Sequence, residues 1–339
     1  MISEDRTFII AEAGVNHNGS IDLAERLIEE ALRAGADCVK FQSFSAEKLV
    51  SRSAEKAQYQ KRTTGGGDTQ FEMLSRLELS EDDHRALIAL CRDKGIQFLS
   101  SPFDEGSADL LDRLGVAAYK VPSGELTNHR FLRHLAEKSR PIILSTGMST
   151  LAEVAEAVEI IVRTGNRQLS LLHCVTEYPA PVAEVNLRAM LTLADAFGFP
   201  VGYSDHTPGI EIAVAAVALG ARIIEKHVTL SRDMEGPDHR ASLEPQELKA
   251  MIQAIRNVEQ ALGNGIKAPA PCEMKNIAVA RKSVVAERDI GAGERLSRDN
   301  VAIKRPGHGI QPRDLEKVMG LTVTADIKAG SVVTWKDLK

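Results

Sequence analysis

Eight short apolar runs recur through the first 230 residues, and each ends in polar residues. They are FIIAEAG (8–14), CVKFQSF (38–44), QFLSSPF (97–103), AYKVPSGE (118–125), PIILSTGM (141–148), LSLLHCV (169–175), VGYSDHT (201–207) and RIIEKHV (222–228). A strand buried on both faces reads as a continuous Val, Ile and Leu run. Most of the gaps carry helical spacing. Leu23, Leu27, Ala31 and Ala34 form one stripe of 21–35, which stops at Gly35 as helices often do. Residues 150–165 make a second stretch, with Ser149 in the N-cap place and Gly165 at the end. Pro245 opens a third, 245–263. Strand and helix alternate eight times, which predicts an α/β fold, a closed (β/α)8 (TIM) barrel over residues 1–263. In such a barrel the active site sits where the strands end.

Two segments break the rhythm. Residues 45–80 are polar, contain Gly65, Gly66 and Gly67, and form an excursion long enough to act as a lid or a subunit contact. From 264 to 280 the period stops and prolines appear, as in a linker. Beyond it, residues 281–339 read as short β-like pieces with an internal repeat. Asp289-Ile290, Ala292-Gly293, Leu296-Ser297 and Asn300-Val301 return 37 positions later as Asp326-Ile327, Ala329-Gly330, Val333-Thr334 and Asp337-Leu338. That repeat predicts a small, pseudo-symmetric β-rich domain, with KRPGHGI (304–310) as a functional loop between its halves.

Composition narrows the class. Apolar residues make up 43% and charged ones 26%, ordinary for a soluble globular chain. A net charge of -5 argues against a general nucleic-acid or membrane-surface binder. No apolar run has the length of a membrane span, and a strand already starts at Phe8, which leaves no room for a secretory signal. Cys38, Cys91, Cys174 and Cys272 lack zinc-ligand spacing and read as buried thiols of a reducing compartment. A cytoplasmic enzyme is the expected class.

The strand ends carry the chemistry. Lys40, Lys120 and Lys226 stand among apolar residues, where a lysine must meet an anion or lose its proton. One reading is a clamp for phosphate and carboxylate; the other is a Schiff-base lysine. Ser100, Ser101, Ser123, Ser145, Thr146, Thr176 and Ser204 end the same strands and favour the clamp, although some of them are expected only to satisfy barrel backbone. Gly124 and Gly147 fit turns where backbone approaches closely. His206 and His227 end adjacent strands, a pairing that suits a divalent metal with open positions, acting on a carbonyl oxygen. His173 reads as a satisfied core histidine, His17 is undecided, and His239 falls in the loop after the eighth strand. Glu12, Glu125, Asp205 and Asp238 supply carboxylates for hydrogen bonding, metal-bound water or acid–base work. Glu225 and Lys226 alternate in facing, so one of them points into the helix layer.

Together these segments resemble the sialic acid synthase family. The matching strings are AEAGVNHNG (11–19), VKFQSF (39–44), YKVPSGE (119–125), ILSTGM (143–148), LLHC (171–174), EYPAP (177–181), GYSDHT (202–207), EKHVT (225–229), EGPDH (235–239) and KRPGHGI (304–310). The resemblance runs nearly end to end and implies that the tail is an antifreeze-like (SAF) domain. It implies condensation of phosphoenolpyruvate (PEP) with an N-acetylated mannosamine-type sugar, giving N-acetylneuraminate or N,N'-diacetyllegionaminate and phosphate. PEP would be held by Lys40, Ser101, Lys120, Ser123, Ser145 and Ser204, with Thr176 close by where some members carry Asn. His206 and His227 would hold manganese or magnesium. Glu12, Gln42, Tyr178, Glu125 and Asp238 would lie near the sugar and the metal waters, with Glu12 or Glu125 handling protons. The family pattern further implies a domain-swapped homodimer in which Arg305 completes the partner's sugar site. VKFQSF and EGPDHRASLEP lean toward members that use 2,4-diacetamido-trideoxy sugars. A pyruvate aldolase on the same barrel is the rival enzyme reading, and a carbohydrate- or ice-binding protein the non-enzymatic one.

Overall fold

The computed structural model describes residues 6–65 and 67–339. The chain divides into two compact units, Met1–Gly263 and Asn264–Lys339. In the first, eight parallel strands alternate with helices. They are β1 (Phe8–Gly14), β2 (Cys38–Ser43), β3 (Gln97–Pro102), β4 (Tyr119–Val121), β5 (Ile142–Ser145), β6 (Leu169–Cys174), β7 (Val201–Asp205) and β8 (Ile223–His227). Hydrogen-bonded neighbours run β3-β2-β1-β8-β7-β6-β5-β4, and β3 lies beside β4 to close the ring.

Strand parity sorts the buried residues into two cores. Ile9, Ala11, Val39, Leu144 and Ile224 face outward and pack with the helices in the main apolar cluster. Phe8, Ile10, Cys38, Leu99, Ala118, Ile143, Leu172 and Ile223 face inward and plug the barrel. Gly202 takes the equivalent place on β7, where a Cβ would collide with Leu172 and Ile223. The inward layer two residues further along the strands is the one that meets the mouth.

Sequence cues set the helix limits. The helix Ile21–Ala34 is capped by Ser20, whose hydroxyl accepts from Leu23 N–H, and ends at Gly35 with φ 90°. The helix Leu151–Arg163 is capped by Thr150, paired reciprocally with Glu153, one residue beyond the expected Ser149. The longer reach of a Glu at N3 makes the Thr-x-x-Glu box the stronger stop. Pro245 opens the helix Pro245–Leu262 as expected.

The 45–80 excursion contains three short helices, Ala46–Leu49, Gln58–Thr64 and Gln70–Ser75. The side chain of Lys56, 1% exposed, ties them together through an ion pair with Asp68 and hydrogen bonds to Thr64 Oγ1 and the Gly65 carbonyl.

In the second unit the segment expected as a bare linker carries a turn, Pro271–Glu273, and the helix Met274–Ala280. Beyond it, β9 (Ser283–Ala286) pairs antiparallel with β10 (Val301–Lys304). The 37-residue repeat appears as reciprocal hydrogen bonds. Ile290 and Ile327 exchange backbone bonds, Ala292 N–H donates to Asp326, and Ala329 N–H donates to Asp289, each side-chain bond 2.8 Å. Cys38, Cys91 and Cys174 are buried, but Cys272 is exposed, contrary to the sequence expectation. No helix among the described residues is long and apolar enough to cross a membrane.

Candidate active site

The inward layer above the apolar plug is polar and opens into a cavity of 320 Å³. Glu12, Lys40, Ser101, Lys120, Ser145, Cys174, Ser204 and Glu225 line it, each two residues past a plug position. Gln42, Ser123, Thr176, Tyr178, His206, His227 and Asp238 extend the polar lining, and Tyr59, Gln60 and Gln70 add to it from the 45–80 excursion.

Charge is concentrated on the floor. Glu225 sits between the lysines, with Oε1 3.2 Å from Lys120 Nζ and Oε2 3.7 Å from Lys40 Nζ. Lys40 also meets Glu12 at 2.7 Å and donates to Ser101 Oγ at 3.0 Å. Ser204 donates to Glu225 at 2.8 Å. Burial works against the Glu225 charge, but Lys120 and Lys40 outweigh it and hold the carboxyl down at about 2. Burial pushes Glu12 up to about 7 although Lys40 opposes it. Lys40 stays raised because its two carboxylates overcome burial, whereas burial lowers Lys120 despite Glu225. Buried cations already balanced by displaceable carboxylates are suited to take up an anion of higher charge.

The two histidines meet at the same mouth, ring centroids 5.4 Å apart, with the Tyr178 ring tilted 37° to His206 at 4.1 Å and edge-on to His227 at 5.6 Å. His206 Nδ1 lies 2.7 Å from the Val175 carbonyl, so it donates there and leaves Nε2 as a lone-pair donor. Burial, with His206 and Lys40 nearby, keeps His227 neutral. Its Nδ1 has no partner among the described residues, and neither have Ser145 Oγ and Thr176 Oγ1. Shielded polar atoms left unpaired point to a ligand. Two imidazoles turned toward one mouth fit a divalent ion that keeps positions for water and substrate. No cluster of three or more His, Cys, Asp or Glu arranged for an ion occurs among the described residues.

Other predicted residues fall elsewhere. Asp205 and Lys226 point away from the cavity and pair with each other at 2.7 Å, both wholly buried. They stand one position out of phase with Ser204 and Glu225, which reverses the expected facing of Asp205 and removes Lys226 from the clamp. Ser100 bonds Ser43, and Thr146 donates to the Leu172 carbonyl, so these two hydroxyls serve the barrel wall. Glu125 is half-buried, accepts from Asn128 at 2.8 Å, and is not among the cavity-lining residues. His173 is bonded to the Val185 carbonyl and His239 to Thr229. His17 is buried, and burial lowers it to about 4. A Cβ at Gly147 would sit 2.8 Å from Ser123 Oγ, but at Gly124 nothing is near, so close approach governs only the first. Arg305 belongs to the second unit, where its side chain is exposed.

Sequence reading missed Glu225 as a floor residue, Cys174 as lining, and the helices within the 45–80 excursion. Parity with Ile223 and His227 marks Glu225; the excursion's helices gave no periodic signal because they are one or two turns long. The lid latches onto the mouth by Arg62 to Glu177 at 3.3 Å, Thr63 Oγ1 to the Pro237 carbonyl at 3.3 Å, and Tyr59 against Tyr178 at 5.0 Å.

Asp238 gives a pH handle. Burial pushes it up to about 6, against the pull of His206 and Lys40. Its folded value exceeds the unfolded one, so its stabilising contribution is complete below pH ~4 and is lost as pH rises through about 6. The Asp238→Asn variant should therefore gain on the parent between pH 4 and 7, by at most ~3 kcal/mol. Urea unfolding across that range reads the difference, and parallel pH profiles would refute it.

Comparison with known proteins agrees with this layout. The NeuB family model matches residues 27–267, and the SAF domain model matches 281–339. The N,N'-diacetyllegionaminic acid synthase of Campylobacter jejuni is 50% identical over 330 residues, 97% of this chain and 99% of that one. The Legionella pneumophila protein of the same name is 46% identical, with 98% and 94% covered. Among solved structures, the N-acetylneuraminic acid synthetase of Leptospira borgpetersenii superposes with a TM-score of 0.72 at 34% identity, covering 81% of this chain and 92% of that one.

Proposed function

The chain belongs to the NeuB family, and on that premise we propose that it condenses PEP with an N-acetylated mannosamine-type sugar and water, giving a nonulosonic acid and inorganic phosphate. The observation that carries this reading is the placement of two buried lysines and five hydroxyls beside paired histidines in one cavity. Lys40 and Lys120, with Ser101, Ser123, Ser145, Thr176 and Ser204, hold the phosphate and carboxylate of PEP. Those anions take over the lysines from Glu12 and Glu225.

His206 and His227 would hold the divalent ion, manganese or magnesium, which when bound would polarise the sugar aldehyde. C3 of PEP then bonds to the aldehyde carbon. Water adds at C2, and collapse of that tetrahedral carbon expels phosphate and leaves a 2-keto acid. Glu12, protonated near neutrality, is placed to give the proton that the former aldehyde oxygen needs. Glu125, outside the cavity lining, is the poorer candidate. Gln42, Tyr178 and Asp238 orient the sugar chain. The resemblance assigns Arg305 to the sugar site of a second subunit in a homodimer. The identities of 50% and 46% favour 2,4-diacetamido-2,4,6-trideoxymannose as acceptor.

Phosphate release from PEP should require acceptor and divalent ion together, and His206→Ala or His227→Ala should lower it at least ~10²-fold, as loss of a catalytic ion does. A lysine trapped by borohydride with pyruvate, and turnover indifferent to chelator, would instead establish the aldolase.

A further inference from the structure

The VNHN turn (15–18) takes no part in the chemistry described so far, yet its side chains reach far beyond it. The chain leaves β1 through successive tight turns, Asn16 N–H donating to the Ala13 carbonyl at 2.9 Å and Asn18 N–H to the Val15 carbonyl at 3.0 Å. Asparagine side chains in turns ordinarily bond their own neighbouring backbone. Both here bond the loop that follows β8 instead. Asn16, 1% exposed, directs both amide hydrogens there, to the Val228 carbonyl and to Ser242 Oγ, each at 2.9 Å. Ser242 in turn donates its hydroxyl proton to the Asp238 carbonyl at 2.7 Å. Asn18 Nδ2 donates to the Glu235 carbonyl at 2.8 Å.

These contacts bracket Asp238. Glu235 lies three positions before it and Ser242 four after, whereas the pairing of Val228 with Leu243 closes only the base of the loop. No hydrogen bond among the described residues holds the Asp238 carboxylate, which lines the cavity, so its place is set by the backbone beneath it. We propose that Asn16, Asn18 and Ser242 are positioning residues that hold the Asp238 carboxylate in register with the acceptor sugar. The proposal rests on the synthase reading above. None of the three lines the cavity, so each acts through Asp238 and not on the substrate. The rigid turn after β1 thus serves as the fixed post, and the loop after β8 is the part it holds.

The test measures phosphate release with 2,4-diacetamido-2,4,6-trideoxymannose and PEP varied in turn. Ser242→Ala removes a single oxygen, and Asn18→Ala acts at a half-buried position, so both variants should fold. Each should raise the acceptor KM by about 10- to 100-fold, the cost of a group displaced by about 1 Å, while the KM for PEP changes by less than about twofold. Asn16→Asp keeps the shape but loses both donated hydrogens, and should reproduce the acceptor defect. The two alanine variants carry the test if it does not fold. In an Asp238→Ala background, neither alanine change should lower acceptor kcat/KM by more than about a further twofold, because no carboxylate is left to position. Calorimetric binding of the acceptor closes the same cycle if that background turns over too slowly. An acceptor KM unmoved in the folded variants, a PEP KM that rises in step with it, or losses that add in the Asp238→Ala background overturn the proposal and leave the synthase reading standing. Absence of PEP-derived phosphate with this sugar and with N-acetylmannosamine overturns both.

Discussion

The Glu225→Gln variant is expected to melt about 10 °C below the parent and to recover much of that loss in millimolar inorganic phosphate. Glu225 is the shared counter-charge of Lys120 and Lys40, and all three side chains are at most 5% exposed. Removing one member of a buried ionic cluster strands the others and costs ~3–5 kcal/mol. In a unit of this size each kcal/mol is worth roughly 2–4 °C. Glu12 compensates only in part, because it bonds Lys40 and is itself held near neutrality. A phosphate bound between the lysines replaces the missing charge and stabilises by mass action. The variant should therefore show a larger phosphate-induced shift in Tm than the parent. An unchanged Tm, or equal shifts, would mean that Glu225 is not the charge that holds the two lysines.

Lys226→Met should be as damaging, for a different reason. Lys226 and Asp205 are wholly buried, paired at 2.7 Å, and directly opposed across β7 and β8. Asp205 also accepts from the Thr207 backbone and hydroxyl at 2.8 Å, and Lys226 bonds the Thr207 carbonyl. The single change leaves Asp205 charged among helices, at a cost of ~3–5 kcal/mol. The double variant Asp205→Leu with Lys226→Met removes both charges and should regain most of the lost stability in urea titration, since well-packed apolar substitutes often match a buried pair. A double variant no more stable than the single would show that the Thr207 bonds, not the ion pair, carry the energy.

These two pairs of neighbours also mark where the sequence was legible. Both faces of a parallel barrel strand are covered, so Ser204 and Asp205, or Glu225 and Lys226, lie in equally apolar runs with no polar side to fix their facing. Existence, order and direction of the strands were readable from VKFQS or IIEKH. Facing was not, although it follows once the plug is known: Ile223, Glu225 and His227 share one parity. Most of the charged floor lay within reach because lysine among apolar residues needs a reason. Cys174 escaped notice because a thiol beside apolar residues reads as core. The helices inside the lid escaped because four to seven residues cannot declare a helical period, and their order comes from Lys56, Asp68 and Arg76.

The pairing of β1 with β8 governs when the enzyme can come into being. Phe8 lies beside Ile223 and Glu12 beside His227, so one edge of a wholly buried strand has no neighbour until some 215 further residues exist. At ribosomal rates of ~5–20 residues per second, that interval lasts about 10–40 s. During it the apolar edge of β1 is open to wrong partners, and long-range parallel pairing is slow to form. Glu225 and His227 ride on the closing strand. A nascent chain that stops short of β8 thus holds Lys40 and Lys120 without the carboxylate between them, and barrel closure, charge balance and the histidine pair are completed in a single late event.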